Sequence, residues 1–249
     1  MANELEIAFD ERLLEVAAYL DFLQELETAA QSGAPRFGTS GGALTAQQIN
    51  ILRAGIYVQL YNLIEATMTK LLDALAAATC NGRWKASDLI PDIRREWVKV
   101  MTGVHKELNA DNRLANACVL VEFLMQAQPL QQFKIEKGGG GNWNDSNIEN
   151  FLGRVGLRLN LPLAATTAAK RRFRDDMGPL ALVVKLRNDL AHGSLSFAEC
   201  GAVETASGLR EIVDNTTLYL RSVVQAVQTF IDNYEFLEER HRPLPIAAA

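Results

Sequence analysis

The chain has 249 residues, 48% of them apolar and 22% charged, enough for one large domain or two small ones around a substantial core. Its net charge of −5 and pI near 5.4 argue against a protein that coats nucleic acid by bulk electrostatics, although an acidic chain can still focus positive charge in one cleft. Apolar runs such as Ala74-Leu75-Ala76-Ala77-Ala78 are too short to span a bilayer, and the acidic start Met1-Ala2-Asn3-Glu4-Leu5-Glu6 lacks the basic-then-apolar order of a secretory signal. Cys80, Cys118 and Cys200 are widely spaced with no C-x-x-C pair. They read as reduced thiols of a cytoplasmic protein, neither a disulfide frame nor a zinc site.

Nothing in the pattern reads as a sheet. From Leu5 to about Ala30, Phe9, Leu13, Val16, Ala17, Leu20, Leu23 and Leu26 recur at helical spacing, and a Gly/Pro/Ser-rich loop follows from Gln31 to Gly42. Thr45-Ala46-Gln47-Gln48 fits a capping box, opening a long helix that carries Ile51, Ile56, Leu60, Leu63, Ile64, Met68, Leu71, Leu72 and Leu75 and stops near Asn81-Gly82. The middle third predicts helices over about 92–107 and 113–125. Ser146-Asn147-Ile148-Glu149 offers a second capping box, for a short helix ending near Leu157. Gly178-Pro179 starts another helix, carrying Leu180, Leu182, Val183, Val184, Leu186 and Leu190 and ending at His192-Gly193. A last helix is expected over about 205–239, with a stripe running from Leu209 through Tyr219 to Tyr234 and Leu237, and Pro243 and Pro245 close the chain. With no repeats and no boundary in composition, the expectation is one all-α domain over 1–249 built on a helix bundle.

Within the helix before Gly193, Leu186-Arg187-Asn188-Asp189-Leu190-Ala191-His192-Gly193 combines an arginine, an amide and a histidine in one and a half turns. Histidine has the unperturbed pKa nearest neutrality and so serves most often in proton transfer, and the arginine fork matches phosphate oxygens. The pair suggests acid–base work on a phosphodiester. With 17 arginines and 3 histidines, one R-x4-H match arises by chance about a fifth of the time, and neither His105 nor His241 makes another. Arg, His and Gly also make a good helix C-terminus, since cations favour the negative end of the dipole. Asn188 and His192, four apart, share a helix face, so the amide is placed to orient the imidazole.

This stretch resembles the R-x4–6-H signature of the HEPN superfamily, in which Asn, Asp or His commonly follows the arginine. Tyr61-Asn62-Leu63-Ile64-Glu65, Ala191-His192-Gly193-Ser194-Leu195-Ser196-Phe197 and Tyr234-Glu235-Phe236-Leu237 extend the resemblance to a bacterial, toxin-like ribonuclease branch. The resemblance implies an all-α HEPN-type helical bundle with additional helices: an N-terminal helix and loop over 1–44, then a core with a helical insertion over 45–240. It further implies a homodimer in which two copies of the motif face each other, and a metal-independent endoribonuclease of a toxin–antitoxin or phage-defence system that needs no cofactor. Arg187, Asn188 and His192 would be its catalytic residues, RNA its substrate, and an antitoxin or other defence protein its partner. Some members carry a tyrosine just before the histidine that a nucleotidyltransferase antitoxin modifies; Ala191 stands there in this chain.

Other features carry less. The tetraglycine Gly138-Gly139-Gly140-Gly141 has no Gly-Lys-Ser/Thr after it and no strand before it, so it reads as a flexible loop and not a phosphate loop. Asp175-Asp176 reads as a helix-entry pair, not a metal pair. Arg94, Arg95, Lys99 and Lys106 form one locally basic stretch, and Arg154, Arg158, Lys170, Arg171, Arg172 and Arg174 another. Of these, Arg171, Arg172 and Arg174, just before the motif helix, are candidates for RNA-backbone contacts, and Glu65 at the margin of its apolar face is a candidate to reach the cleft. The competing expectation is a non-catalytic HEPN module that binds RNA, a nucleotide or a partner protein.

Overall fold

Helix α1 (Glu4–Gln31) presents Phe9, Val16, Leu20, Leu23 and Leu26 on one stripe, and that stripe packs on the longest helix, α2 (Ala46–Asn81). The computed structural model describes residues 4–36, 38, 41–104, 106–131, 133–137 and 142–243. Met1-Ala2-Asn3, His105, the tetraglycine 138–141 and Pro245 lie outside the described residues. The start of α2 is fixed as its sequence predicts. The Thr45 hydroxyl accepts the Gln48 backbone N–H at 3.2 Å, and the Gln48 side chain accepts the Thr45 N–H at 2.8 Å. At 36 residues α2 is roughly 54 Å long. It is long enough to touch α1, α7 (Pro179–Ala191), α8 (Phe197–Gly201) and α9 (Ala206–Asp232).

Three further helices follow α2 before α6 (Leu163–Lys170): α3 (Pro91–Thr102), α4 (Ala110–Met125) and α5 (Asp145–Arg154). Among the described residues there is no strand, only isolated bridges such as Leu89 with Leu237. The fold is all-α, and most of its buried apolar residues, from Phe9 to Leu237, form one hydrophobic cluster. Among the described residues no helix is long and apolar enough to cross a membrane.

Polar ties lock α1 and α9 together around α2. Arg221 pairs with Asp10 at 2.6 Å, Arg210 with Asp21 at 2.5 Å, and the Tyr19 hydroxyl donates to the Leu52 carbonyl at 2.5 Å. Helix α8 lies so close to α2 that a Cβ added at Gly201 would fall 1.9 Å from the Asn50 carbonyl oxygen. Only glycine fits there.

Several boundaries differ from the sequence reading, each for a local reason. Helix α3 stops at Thr102, not Glu107, because Gly103 takes a left-handed cap with φ +65°. Helix α5 is capped by Asn144, whose side chain accepts the Asn147 N–H at 2.8 Å, so the cap lies two residues before the expected Ser146. Two short helices, α6 and α8, fall where the sequence offers only brief polar or alanine-rich pieces; Ser196 and Glu199 form a capping box for α8.

The last helix ends at Asp232, not Glu239, and Tyr234 turns the chain with φ +54°. Phe236 and Leu237 then fold back to be buried against the start of α3. There the Ile90 N–H donates to the Phe236 carbonyl at 3.0 Å and the Glu238 N–H to the Asp88 carbonyl at 2.8 Å. Tyr234 and Leu237 therefore do not belong to the α9 stripe.

Candidate functional site

Helix α7 buries Leu180, Leu182, Val183, Leu186 and Leu190, which fixes its rotation and leaves Arg187, Asn188 and Asp189 at the edge of the packed face. Its C-terminus is a Schellman motif. The Ser194 N–H bonds back to the Asp189 carbonyl at 3.0 Å and the Gly193 N–H to the Leu190 carbonyl at 3.3 Å, with Gly193 at φ +73°. His192 is the C-cap residue of that motif. It is exposed, and its imidazole has no hydrogen-bond partner among the described residues.

Arg187 is half-buried. Its guanidinium carbon sits 4.0 Å from the centroid of the Tyr61 ring, and its Nη1 donates to Asn188 Oδ1 at 2.9 Å. No carboxylate lies within 4.0 Å of it among the described residues. Asn188 Nδ2 donates in turn to Asn142 Oδ1 at 3.2 Å. The Asn188 amide thus orients the arginine and not the imidazole, because a charged donor on the adjacent residue makes the stronger hydrogen bond. Asp189 faces away, paired with Lys185 at 2.7 Å.

On α2, Tyr61, Glu65 and Thr69 recur every four residues and so form one ridge. Lys137 lies on it, its ammonium 2.8 Å from Glu65 Oε1 and 2.8 Å from Thr69 Oγ1. Glu65 Oε2 is buried without a hydrogen-bond partner among the described residues. Burial first, then the Glu65 carboxylate, raise the Tyr61 phenol above its ordinary value, while Arg187 and Lys137 pull it down. The phenol stays neutral, and the three charged groups share its electrostatic neighbourhood.

The seven candidate residues read from sequence divide into Arg187, Asn188 and Glu65, which cluster, the exposed His192, and Arg171, Arg172 and Arg174, which do not join them. Arg187 and Asn188 are brought into contact, with Glu65 one turn along the ridge that supports Arg187. Arg171 instead pairs with Glu211 of α9 and lies over the Phe173 ring at 5.8 Å, and Arg172 donates to the Asp176 carbonyl at 2.7 Å. Arg174 is half-buried, 4.0 Å from Asp175, and felt by Tyr57 and Cys200. Among the described residues none of these three is bonded to Arg187, Asn188 or His192.

Tyr61, Lys137 and Asn142 were not singled out as site residues from the sequence. Lys137 and Asn142 flank the tetraglycine, and a cation and an amide bracketing a glycine run was the available signal. Among the described residues no group of three or more His, Cys, Asp or Glu is placed to hold a metal ion. Neither a curated protein nor a solved structure is detectably similar to the chain. The HEPN_MAE_28990-like HEPN family model matches residues 1–236, and the chain belongs to that HEPN family.

Proposed function

We propose that the protein is a metal-independent endoribonuclease whose site is built on Arg187 and His192. The observation that carries this reading is the state of Arg187: a half-buried guanidinium held on an aromatic face and an amide, with no carboxylate within 4.0 Å among the described residues. Leaving a partly desolvated charge without a counter-ion is costly, and a phosphate oxygen pair relieves that cost with a bidentate contact. The exposed His192 supplies the group for proton transfer.

In the reaction, the ribose 2′-oxygen attacks the adjacent phosphorus while its proton passes to an imidazole. The P–O5′ bond breaks and the leaving 5′-oxygen takes up a proton. The products are a 2′,3′-cyclic phosphate and a 5′-hydroxyl, and DNA is inert because it lacks the nucleophile. Arg187 stabilises charge on the phosphoryl oxygens. At 100° per residue, Arg187 and His192 lie roughly 140° apart around α7, which favours a composite site in which two copies of the chain each contribute a motif. The HEPN membership supports this reading; the proposal extends to a role in a toxin–antitoxin or phage-defence system in the cytoplasm, with an antitoxin or other defence protein as partner. Arg171, Arg172 and Arg174 are assigned a secondary part, as a peripheral track for the RNA backbone.

The test is to incubate the purified protein with total RNA, with and without EDTA, alongside Arg187→Ala and His192→Ala. Cleavage that survives EDTA, yields cyclic phosphate ends and is lost in both variants is the expected result. Equal cleavage by the variants would sink the proposal. RNA binding without cleavage by any form would favour a non-catalytic HEPN binding module.

A further inference from the structure

The segment after α4 alternates: Phe133 and Ile135 are buried, Lys134 and Glu136 are exposed, and Lys137 takes the next inward position. An inward position that elsewhere holds Phe and Ile holds a lysine here. Its stem is carried to the α2 ridge, where its ammonium meets Glu65 and Thr69. An ammonium has three donors, and these two contacts use two of them.

Arg187 sits one turn away over Tyr61, so two cations from different segments converge on one ridge with, among the described residues, a single carboxylate between them. Two positive charges and one negative leave the cluster at +1 in a chain whose net charge is −5. Field of that sign, confined to one place on an acidic protein, attracts an anion of matching spacing.

We propose that Lys137 is a second phosphate ligand of this site: it holds the RNA phosphate next to the one bound by Arg187, and Glu65 is the residue that positions its ammonium and competes with the phosphate for it. This rests on the ribonuclease reading of Arg187 and His192. Glu65 does not contact RNA, since a carboxylate beside a phosphate is repulsive; it acts through Lys137. A bound phosphate draws the ammonium off Glu65 and takes its place, with no bond made or broken covalently. The substrate class that follows is a single strand of RNA lying along the ridge, contacted through its backbone and therefore read with little regard to base.

The experiment uses the full chain with His192→Ala as background, so that binding is measured without turnover, and a labelled single-stranded RNA of mixed sequence as probe. The slope of log affinity against log salt is the readout. Adding Lys137→Gln is expected to lower its magnitude by about 0.7, the loss of one single-strand phosphate contact, while Lys134→Gln on the exposed side leaves it unchanged. Adding Glu65→Gln is expected to tighten binding about threefold, because the competitor for the ammonium is gone.

A purely structural ion pair gives a different pattern: Lys137→Gln and Glu65→Gln then weaken binding alike, which overturns the proposal. So does an unchanged slope in Lys137→Gln, or an equal fall in Lys134→Gln. If Lys137→Gln melts early, Lys137→Arg keeps the charge and is expected to retain the slope; failure to do so also counts against the phosphate contact. Absence of any salt-dependent RNA binding by the His192→Ala protein overturns the ribonuclease reading itself, and this inference with it.

Discussion

Two cationic regions flank α7, and they differ in what neutralises them. Before the helix, Arg171, Arg172 and Arg174 are matched one for one by Glu211, Asp176 and Asp175, so that cluster carries no net charge. At the other end Arg187 has a ring and an amide for partners, and with Lys137 it outnumbers Glu65, the one carboxylate on the ridge among the described residues. The denser run of arginines in the sequence is the one whose charges the fold already pairs. On the proposed reading, what marks an anion site is charge left over after the fold has made its own pairs, and the ridge on α2 has that surplus.

The sharpest way to break this comparison is to remove the motif itself. His192→Ala is expected to lower kcat on RNA by about 100-fold or more, and Arg187→Ala by about 100- to 1,000-fold, with melting temperatures little changed. A comparable loss from Arg171→Gln would erase the distinction between the two regions.

Next comes the aromatic support of Arg187. Tyr61→Phe keeps the ring face, whereas Tyr61→Leu removes a partly desolvated cation–π contact worth about 1–2 kcal/mol, or roughly 5- to 30-fold in kcat/KM. Equal activity of the two variants would show that the ring does not hold the guanidinium. Because Tyr61 is buried, thermal melts of both variants must accompany the kinetics.

Smaller effects are expected at the neutralised cluster. Arg171→Gln changes cleavage less than about threefold, since exposed ion pairs contribute about 0–1 kcal/mol, while Glu211→Gln frees Arg171 and is expected to raise RNA affinity modestly. A large gain from Glu211→Gln would mean that the Arg171 track is a latent part of the site.

The smallest effect concerns the thiol behind α7. Burial, the largest cause, pushes the Cys200 thiol up to about 11, so it stays protonated at neutral pH, while Cys118 is exposed on α4. Iodoacetamide at neutral pH is expected to label Cys118 and spare Cys200, read by peptide mass. Labelling of Cys200 in the native protein would mean that α8 opens away from α2 and that the motif end of α7 is less firmly seated than its packing indicates.

Packing against α2 also sets the largest expected stability effect. Gly201→Ala drives a methyl group into the Asn50 carbonyl, so it is expected to cost about 3 kcal/mol and to lower the melting temperature by roughly 6–12 °C. Full retention of stability would mean that α8 can lift off α2 at little cost.

Much of this was legible in the chain itself. Helical periodicity, the Thr45–Gln48 capping box and Gly178-Pro179 placed α1, α2 and α7 nearly to the residue, because each signal acts over three or four neighbours. Arg187, Asn188, His192 and Gly193 lie within one short stretch, so their place at the end of one helix was readable too. Local chemistry was less secure where two caps competed: Asn144 prevailed over Ser146, and Gly103 ended α3 before its apolar pattern ran out.

What only the tertiary structure decided is which groups meet. Tyr61, Lys137 and Asn142 are separated from Arg187 by 126, 50 and 45 residues, and no periodicity reports contacts at such range. The same holds for the turn at Tyr234, which takes Phe236 and Leu237 out of the last helix and buries them beside α3. Side-chain identity sets what each residue can do, but burial and the pairing of charges are settled by the whole packed chain, and those decide that Arg187 keeps its charge available while Arg171 does not.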